Sequence, residues 1–129
     1  MKEHKECYNL FIGRWCPFHN GHKYIIDSFV GNGKNVAIGV RDSEEKYSSK
    51  DRKKFIESCY KNEIKNKQVR VFIMPDISTV AVGRKVGYSI IEVPDSIKTI
   101  SGTKIRKGEC NDIPKSVKKI MDKIDANKS

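Results

Sequence analysis

The sequence predicts an α/β domain built on a parallel β-sheet, on three observations. Its 129 residues amount to one domain's worth of chain. Short apolar runs rich in β-branched residues alternate with segments in which apolar residues recur every three or four positions. Glycine, asparagine and proline separate these segments. Strands that alternate with helices form βαβ units, so we expect a parallel sheet with helices on both faces.

Four strands are expected, over residues 8–13, 35–40, 69–74 and 87–93. The first helix is expected over about 21–30, and Gly31-Asn32-Gly33 ends it. A polar loop spans 41–50, and Ser48 with Asp51 three residues later resembles a capping box at the start of a second helix. Phe55 and Ile56 belong to the apolar face of that helix.

The last predicted helix has apolar residues at the helical offsets 0, 3, 4 and 7, namely Val117, Ile120, Met121 and Ile124. We therefore expect a single domain over 1–129, with a core over about 8–110 and a basic C-terminal helix over about 113–126. In sheets of this kind, ligands bind outside the carboxyl ends of the strands.

The charge of the chain implies an anionic partner. Lys and Arg number 26 against 16 Asp and Glu, a net charge of +10. Nucleic acid, an acidic membrane and small phosphorylated molecules all fit this excess. Twenty of the cations are lysines spread over every segment, as on a solvated surface. The six arginines are more informative, because bidentate recognition of phosphate favours Arg.

Several classes of protein are not expected. Apolar runs fall far short of about 18 residues, which excludes a membrane span. The mixed-charge start is unlike a signal peptide. The four cysteines form no C-x-x-C pair and have no His at zinc-finger spacing, so we expect reduced cysteines, a cytoplasmic protein and no metal site.

A first motif directly follows the first strand: Gly13-Arg14-Trp15-Cys16-Pro17-Phe18-His19-Asn20-Gly21-His22. Two histidines three residues apart flank a glycine at a strand-to-helix turn. A helix start offers unpaired N–H groups and a positive dipole end, which favour phosphate. Imidazoles there can donate to phosphoryl oxygens, and Gly21 lets the backbone approach a nucleotide. The alternative is a pair of surface histidines at a helix N-terminus.

A second motif, Ile100-Ser101-Gly102-Thr103-Lys104-Ile105-Arg106, precedes the last helix. The hydroxyl and N–H groups of Ser101 and Thr103 suit the β- and γ-phosphates of a triphosphate. Arg106 adds a planar cation. Taken alone, the motif is more typical of an ordinary helix cap.

Together the two motifs resemble those of nucleotidylyltransferases, G-R-F-x-P-F-H-x-G-H followed by I-S-x-T-x-[IL]-R. The resemblance implies a Rossmann-like fold, which these enzymes share with class I aminoacyl-tRNA synthetases. The form with Arg and Pro-Phe is most similar to archaeal and bifunctional bacterial nicotinamide mononucleotide adenylyltransferases. Cytidylyltransferases usually carry G-T-F-D-x-x-H-x-G-H instead.

The resemblance implies site residues of three kinds. Those for catalysis are His19, His22 and Arg106. Those for nucleotide binding are Gly13, Arg14, Gly21, Lys46, Arg52, Ser101 and Thr103. Those for acceptor binding are Trp15, Asp76 and Arg84. For Lys46 and Arg52 the alternative is a charged, exposed helix face. Mg²⁺ would bind with the triphosphate and keep mostly water ligands, without a dedicated protein site.

The implied reaction is adenylyl transfer from ATP to a phosphorylated acceptor, best nicotinamide mononucleotide, giving NAD and pyrophosphate. One alternative is a CTP-dependent enzyme acting on a phosphorylated polyol or lipid precursor. A basic nucleic-acid-binding module and a non-catalytic sensor on the same fold are further alternatives. The aromatic residues do not interleave with the lysines, so nucleic acid is not the expected partner. A homo-oligomer is possible.

Overall fold

A computed structural model describes residues 7–81 and 113–127 of the chain. In these residues three strands, β1 (Tyr8–Gly13), β2 (Asn35–Asp42) and β3 (Val69–Pro75), form a parallel sheet in the order β1-β2-β3. The helices are α1 (Asn20–Gly31), α2 (Ser49–Cys59), α3 (Lys61–Lys65) and α4 (Lys115–Asn127). The predicted α/β class, a Rossmann-like parallel sheet with helices, is confirmed.

The register of the sheet places one row of apolar side chains on the core face. Phe11 pairs with Ile38, and Ile38 with Val71. Val36, Ile38 and Val40 alternate along β2 and are buried. On the opposite face, Leu10 is 57% exposed and Phe72 is 39% exposed. Helix cover for that second face stays a prediction.

The helices contribute the apolar faces that their spacing predicts. Ile26 from α1, Phe55 and Ile56 from α2, and Val117 and Met121 from α4 all belong to one buried cluster with the sheet. Burying a side chain of this size stabilises a fold by about 1.5–3 kcal/mol. This shared core fixes the helices against the strands.

Polar contacts tie α4 and α1 to the middle of the chain. The Ser58 hydroxyl donates to the Ser116 hydroxyl at 2.9 Å, and the Tyr47 hydroxyl donates to the carboxylate of Asp125. The Tyr60 hydroxyl donates to Asp27 of α1 at 2.8 Å. Burial and the Asp27 carboxylate raise the pKa of Tyr60 above its ordinary value, so this hydroxyl stays a donor.

Element boundaries differ from the expectations by one or two residues, apart from the short helix α3, which the pattern does not predict. β2 continues to Asp42, and α4 continues to Asn127. The predicted strand over 87–93 lies outside the described residues. None of the described helices has the length and apolarity needed to cross a membrane.

Candidate functional site

The candidate site lies at the carboxyl edge of the sheet. β1 ends at Gly13 beside β2, and Asp42 at the end of β2 pairs with Pro75 at the end of β3. Because the strands are parallel, the segments that follow them meet at one edge. We call residues 14–19 the histidine loop and residues 43–48 the second loop. Each of these loops leads into a helix.

The two histidines form a reciprocal cap at the start of α1. His19 is the N-cap residue, and its Nδ1 accepts the N–H of Gly21 at 3.1 Å and of His22 at 3.3 Å. In return, the N–H of His19 donates to Nδ1 of His22 at 3.2 Å. This is a capping box in which imidazoles replace the usual hydroxyl and carboxylate side chains.

The cap corrects one expectation about the helix start. The N–H groups of Gly21 and His22 are predicted to be unpaired, but they are taken by His19. Since Nδ1 of each ring accepts a hydrogen bond, a proton carried by either neutral imidazole lies on Nε2. The two rings stack with their centroids 3.6 Å apart. The cap therefore uses Nδ1 of both rings and sets the orientation of each imidazole.

Aromatic neighbours surround His22. The indole of Trp15 meets its ring edge-on with centroids 4.7 Å apart, and the Phe18 ring stacks on it at 5.7 Å. Burial of the ring, and then the neighbouring charge of His19, lower the pKa of His22 from 6.5 to about 3. At neutral pH His22 is therefore uncharged and acts as a hydrogen-bond donor.

Trp15, predicted to bind the acceptor, is buried and engaged within the protein. Its backbone has a positive φ of 53°, and its indole N–H donates to the carbonyl of Gly39 at 2.9 Å. The ring lies over Gly13, where a Cβ atom would come within 3.0 Å of it. Gly13 therefore has a packing role in addition to the predicted role in nucleotide binding, because a Cβ atom there would require the indole to shift by a few tenths of an ångström.

Arg52, predicted to bind the nucleotide or to lie on an exposed helix face, is 0% exposed. Its guanidinium donates only to backbone carbonyls, those of Arg14, Arg41, Ser43 and Tyr47. The exposed-face alternative is wrong. A signal for burial is present in the sequence, because position 52 shares a helical face with Phe55 and Ile56.

Arg14 is one of the predicted cations that are exposed in the described part of this edge. Its side chain is 57% exposed, and Nη1 lies 3.6 Å from Oε2 of Glu45 in the second loop. Contacts between exposed charges at this distance are worth little. Lys46 is also exposed, with its Nζ atom 5.4 Å from the centroid of the Tyr47 ring.

Asp76, predicted to bind the acceptor, is paired with a residue that the sequence analysis missed. Arg41 near the end of β2 donates through Nε to Oδ1 of Asp76 at 2.9 Å, and its Nη2 lies 2.8 Å from the same oxygen in an ion pair. The pair joins the ends of β2 and β3. The register of the sheet would have indicated this pair, because it sets position 41 opposite Met74, two residues before Asp76.

The predicted site residues therefore fall into two groups. The structure brings together Gly13, Arg14, Trp15, His19, Gly21, His22, Lys46, Arg52 and Asp76 at the carboxyl edge or directly beneath it. The remaining four, Arg84, Ser101, Thr103 and Arg106, lie outside the described residues. Within residues 7–81 and 113–127, no group of three or more His, Cys, Asp or Glu side chains is arranged to hold a metal ion.

Comparison with known proteins gives one partial likeness and no family assignment. No protein-family model matches the chain. Over 39 residues the chain is 41% identical to the nicotinamide-nucleotide adenylyltransferase of Methanococcus aeolicus. The match covers 30% of this chain and 23% of that relative. With the α/β fold, this similarity supports a relationship between the chain and nucleotidyltransferases.

Proposed function

We propose that the protein is a nucleotidyltransferase that moves an adenylyl group from ATP to a phosphorylated acceptor. The leading acceptor is nicotinamide mononucleotide, which would give NAD and pyrophosphate. The observation that carries the proposal is the imidazole capping box, because it holds two imidazoles in a fixed orientation at the carboxyl edge of a parallel sheet. The partial likeness to an adenylyltransferase supports the same reaction class.

In the proposed reaction, a phosphate oxygen of the acceptor attacks the α-phosphorus of ATP. A new P–O bond forms, the bond from the α-phosphorus to the bridging oxygen breaks, and pyrophosphate leaves with that electron pair. The attacking oxygen is already anionic, so no protein base has to remove a proton. The protein must align the two phosphates and neutralise the charge that develops between them.

The histidine pair suits that task. Donors fixed before the reaction stabilise developing charge at no cost in reorganisation. Each ring is held at Nδ1 by backbone N–H groups, so its Nε2–H is oriented before a ligand arrives. We assign the Nε2–H groups of His19 and His22 to the non-bridging oxygens of the α-phosphate.

We assign Arg14, an exposed cation at the same edge of the sheet, to the phosphates. Breaking the contact with Glu45 to bind a phosphate would cost little free energy, because the two charged groups are 3.6 Å apart and the Arg14 side chain is exposed. Ser101, Thr103 and Arg106 are assigned to the β- and γ-phosphates. Mg²⁺ bound to the triphosphate would neutralise further negative charge. Because Nδ1 of each histidine accepts a backbone N–H, we assign the histidines to hydrogen bonds with phosphate.

The direct test is turnover of ATP with nicotinamide mononucleotide, with mass spectrometry of the product and detection of pyrophosphate. We expect NAD and pyrophosphate in equal amounts. The same assay is repeated with a panel of other nucleoside triphosphates and phosphorylated acceptors. Turnover of CTP with a phosphorylated polyol would overturn the adenylyl assignment, and no pyrophosphate release with any pair would overturn the proposed function.

Variants test the site. We expect His22→Ala and Arg106→Ala to lose activity while the fold is retained. Arg70→Ala is the matched control, because Arg70 lies near the opposite end of β3, where its Nε donates to the hydroxyl of Tyr8. Normal turnover by both site variants would show that the assigned residues are wrong.

A further inference from the structure

Arg52 makes an unusual set of contacts for a buried cation. Its Nε donates to the carbonyl of Tyr47 at 2.9 Å, and its Nη2 donates to that of Ser43 at 2.8 Å. Its Nη1 donates to two carbonyls, of Arg14 at 2.7 Å and of Arg41 at 2.9 Å. Four of its five N–H groups are thus used on backbone oxygens.

Three of these four carbonyls belong to the two loops that form the site, and that of Arg41 belongs to β2. Arg14 opens the histidine loop, Arg41 is near the end of β2, and Ser43 and Tyr47 lie in the second loop. The Nη1 atom alone bridges the exits of two neighbouring strands. Arg52 therefore fixes the separation between the histidine loop and the second loop from beneath.

Stability alone is a poor reason for this arrangement. A guanidinium stays charged in proteins, and its burial costs several kcal/mol before any hydrogen bond is counted. Among the described residues, no carboxylate lies within ion-pair distance of Arg52 to offset that cost. Carbonyl dipoles alone offset the buried charge, so the arrangement gains a fixed loop geometry at a high desolvation cost.

We infer that Arg52 is a positioning residue for the transfer reaction, which holds the histidine loop and the second loop at the separation that the bound phosphates require. The inference rests on the proposed function for its reaction, and on the hydrogen bonds above for its geometry. Arg52 acts without touching substrate, because its side chain has no exposed surface. The side chains whose spacing it sets are His19 at the end of the histidine loop, His22 in the first turn of α1, and Lys46 in the second loop.

Charge and geometry can be separated by substitution. Lysine keeps the charge but has three donors on a single nitrogen and no planar fork, so it cannot span the four carbonyls. Methionine keeps most of the volume and removes the charge. If Arg52 acts through geometry, Arg52→Lys and Arg52→Met fail alike. If it acts only through its charge, Arg52→Lys works like the wild type.

The first experiment compares Arg52→Lys and Arg52→Met with the controls Arg70→Lys and Arg70→Met. Thermal unfolding sets a temperature at which every variant is folded, and kcat and KM are measured there with ATP and nicotinamide mononucleotide. We expect kcat to fall about 10- to 100-fold in both Arg52 variants, as for a misplacement of about 1 Å. A normal kcat in Arg52→Lys would overturn the inference. If Arg52→Met does not fold, Arg52→Lys decides the question.

The second experiment does not depend on activity. Long-range ¹H–¹⁵N spectra of the imidazoles report the tautomer and titration of His19 and His22. We expect the His22 signal of the wild type to stay neutral below pH 5, and that of Arg52→Lys to titrate closer to the ordinary range, with Arg70→Lys unchanged. Unchanged imidazole spectra in Arg52→Lys would overturn the inference. If the imidazole spectra change in Arg52→Lys but the wild type has no transferase activity, the proposed function alone is overturned.

Discussion

The starts of α1 and α2 invite comparison, because each follows the carboxyl end of a neighbouring parallel strand. α2 begins after Ser48, an exposed residue whose hydroxyl accepts the N–H of Asp51 at 3.1 Å. α1 begins after His19, a buried residue whose imidazole accepts two N–H groups. Both side chains satisfy the helix, but only the imidazoles keep further N–H donors on the far side of their rings.

The two helix starts also differ in whether the first turn contains an acidic residue. Asp51 lies in the first turn of α2, where a carboxylate stabilises the positive end of the helix. The first turn of α1 has no acidic residue. The start of α2 is thus complete without a ligand, whereas the start of α1 keeps both a positive end and donors for an anion.

The largest expected effect separates capping from catalysis at α1. His19→Asn keeps an N-cap acceptor but removes the Nε2–H donor, so we expect kcat/KM to fall about 10²–10³-fold. Asparagine is among the best N-cap residues, so the free energy of unfolding should change by less than about 1 kcal/mol. Steady-state kinetics and urea unfolding measure the two quantities.

The matched control for that variant is Ser48→Asn at α2. We expect it to leave both activity and stability near the wild-type values, since one cap acceptor replaces another. Full activity in His19→Asn would contradict a catalytic role for the start of α1, because the two helix starts would then differ only in the residue that caps them.

The second effect is a dependence of stability on pH. The pKa of His22 is about 3 in the folded protein against 6.5 unperturbed, so the unfolded chain binds more protons between these values. The contribution of His22 is therefore fully present above pH 6.5 and is lost as the pH falls toward 3. His22→Gln keeps a residue able to complete the capping box and cannot titrate.

Urea unfolding of the wild type and of His22→Gln at pH 7.5, 6, 5 and 4 tests this sign. The wild type should lose more stability than the variant as the pH falls. Parallel loss in the two proteins would mean that His22 titrates normally in the fold and that its environment is more open than the structure indicates.

A smaller effect is expected at α2. Ser48→Ala removes the acceptor for the N–H of Asp51, and loss of such a cap costs about 1 kcal/mol of unfolding free energy. Activity should be retained, because the Ser48 side chain is exposed and no part in the reaction is assigned to it. A loss of activity larger than ten-fold without unfolding would show that the second helix start also serves the reaction.

The smallest expected effect concerns the contact between Arg14 and Glu45. Glu45→Gln removes a competing carboxylate 3.6 Å from the Arg14 guanidinium. An exposed pair of this kind is worth about 0.2–1 kcal/mol, so we expect the KM for the triphosphate to fall at most about five-fold. A rise in KM would indicate that Glu45 orients Arg14 for its ligand.

Much of the fold can be predicted from the spacing of apolar residues that are close together in the sequence. The β-branched run at β2 and the helical spacing in α2 and α4 predict their elements within one or two residues, because each has a single apolar face to bury. The Ser48 cap is predicted for the same reason, since it joins residues three apart.

The site is less predictable, because its contacts join residues distant in sequence. The motif locates His19 and His22, but not that their Nδ1 atoms cap the helix. Nothing local indicates that Trp15 takes a positive φ or that its indole donates to the carbonyl of Gly39, 24 positions away. The pairing of Arg41 with Asp76 depends likewise on the sheet register.

The contacts of Arg52 have a consequence for how a sequence of this kind can change. All four of its acceptors are main-chain oxygens, which every amino acid carries. Substitutions at positions 14, 41, 43 and 47 therefore leave the acceptors in place, whereas position 52 has no equivalent replacement. Side chains around the site can thus diverge toward different acceptor molecules while one arginine keeps the loops in register.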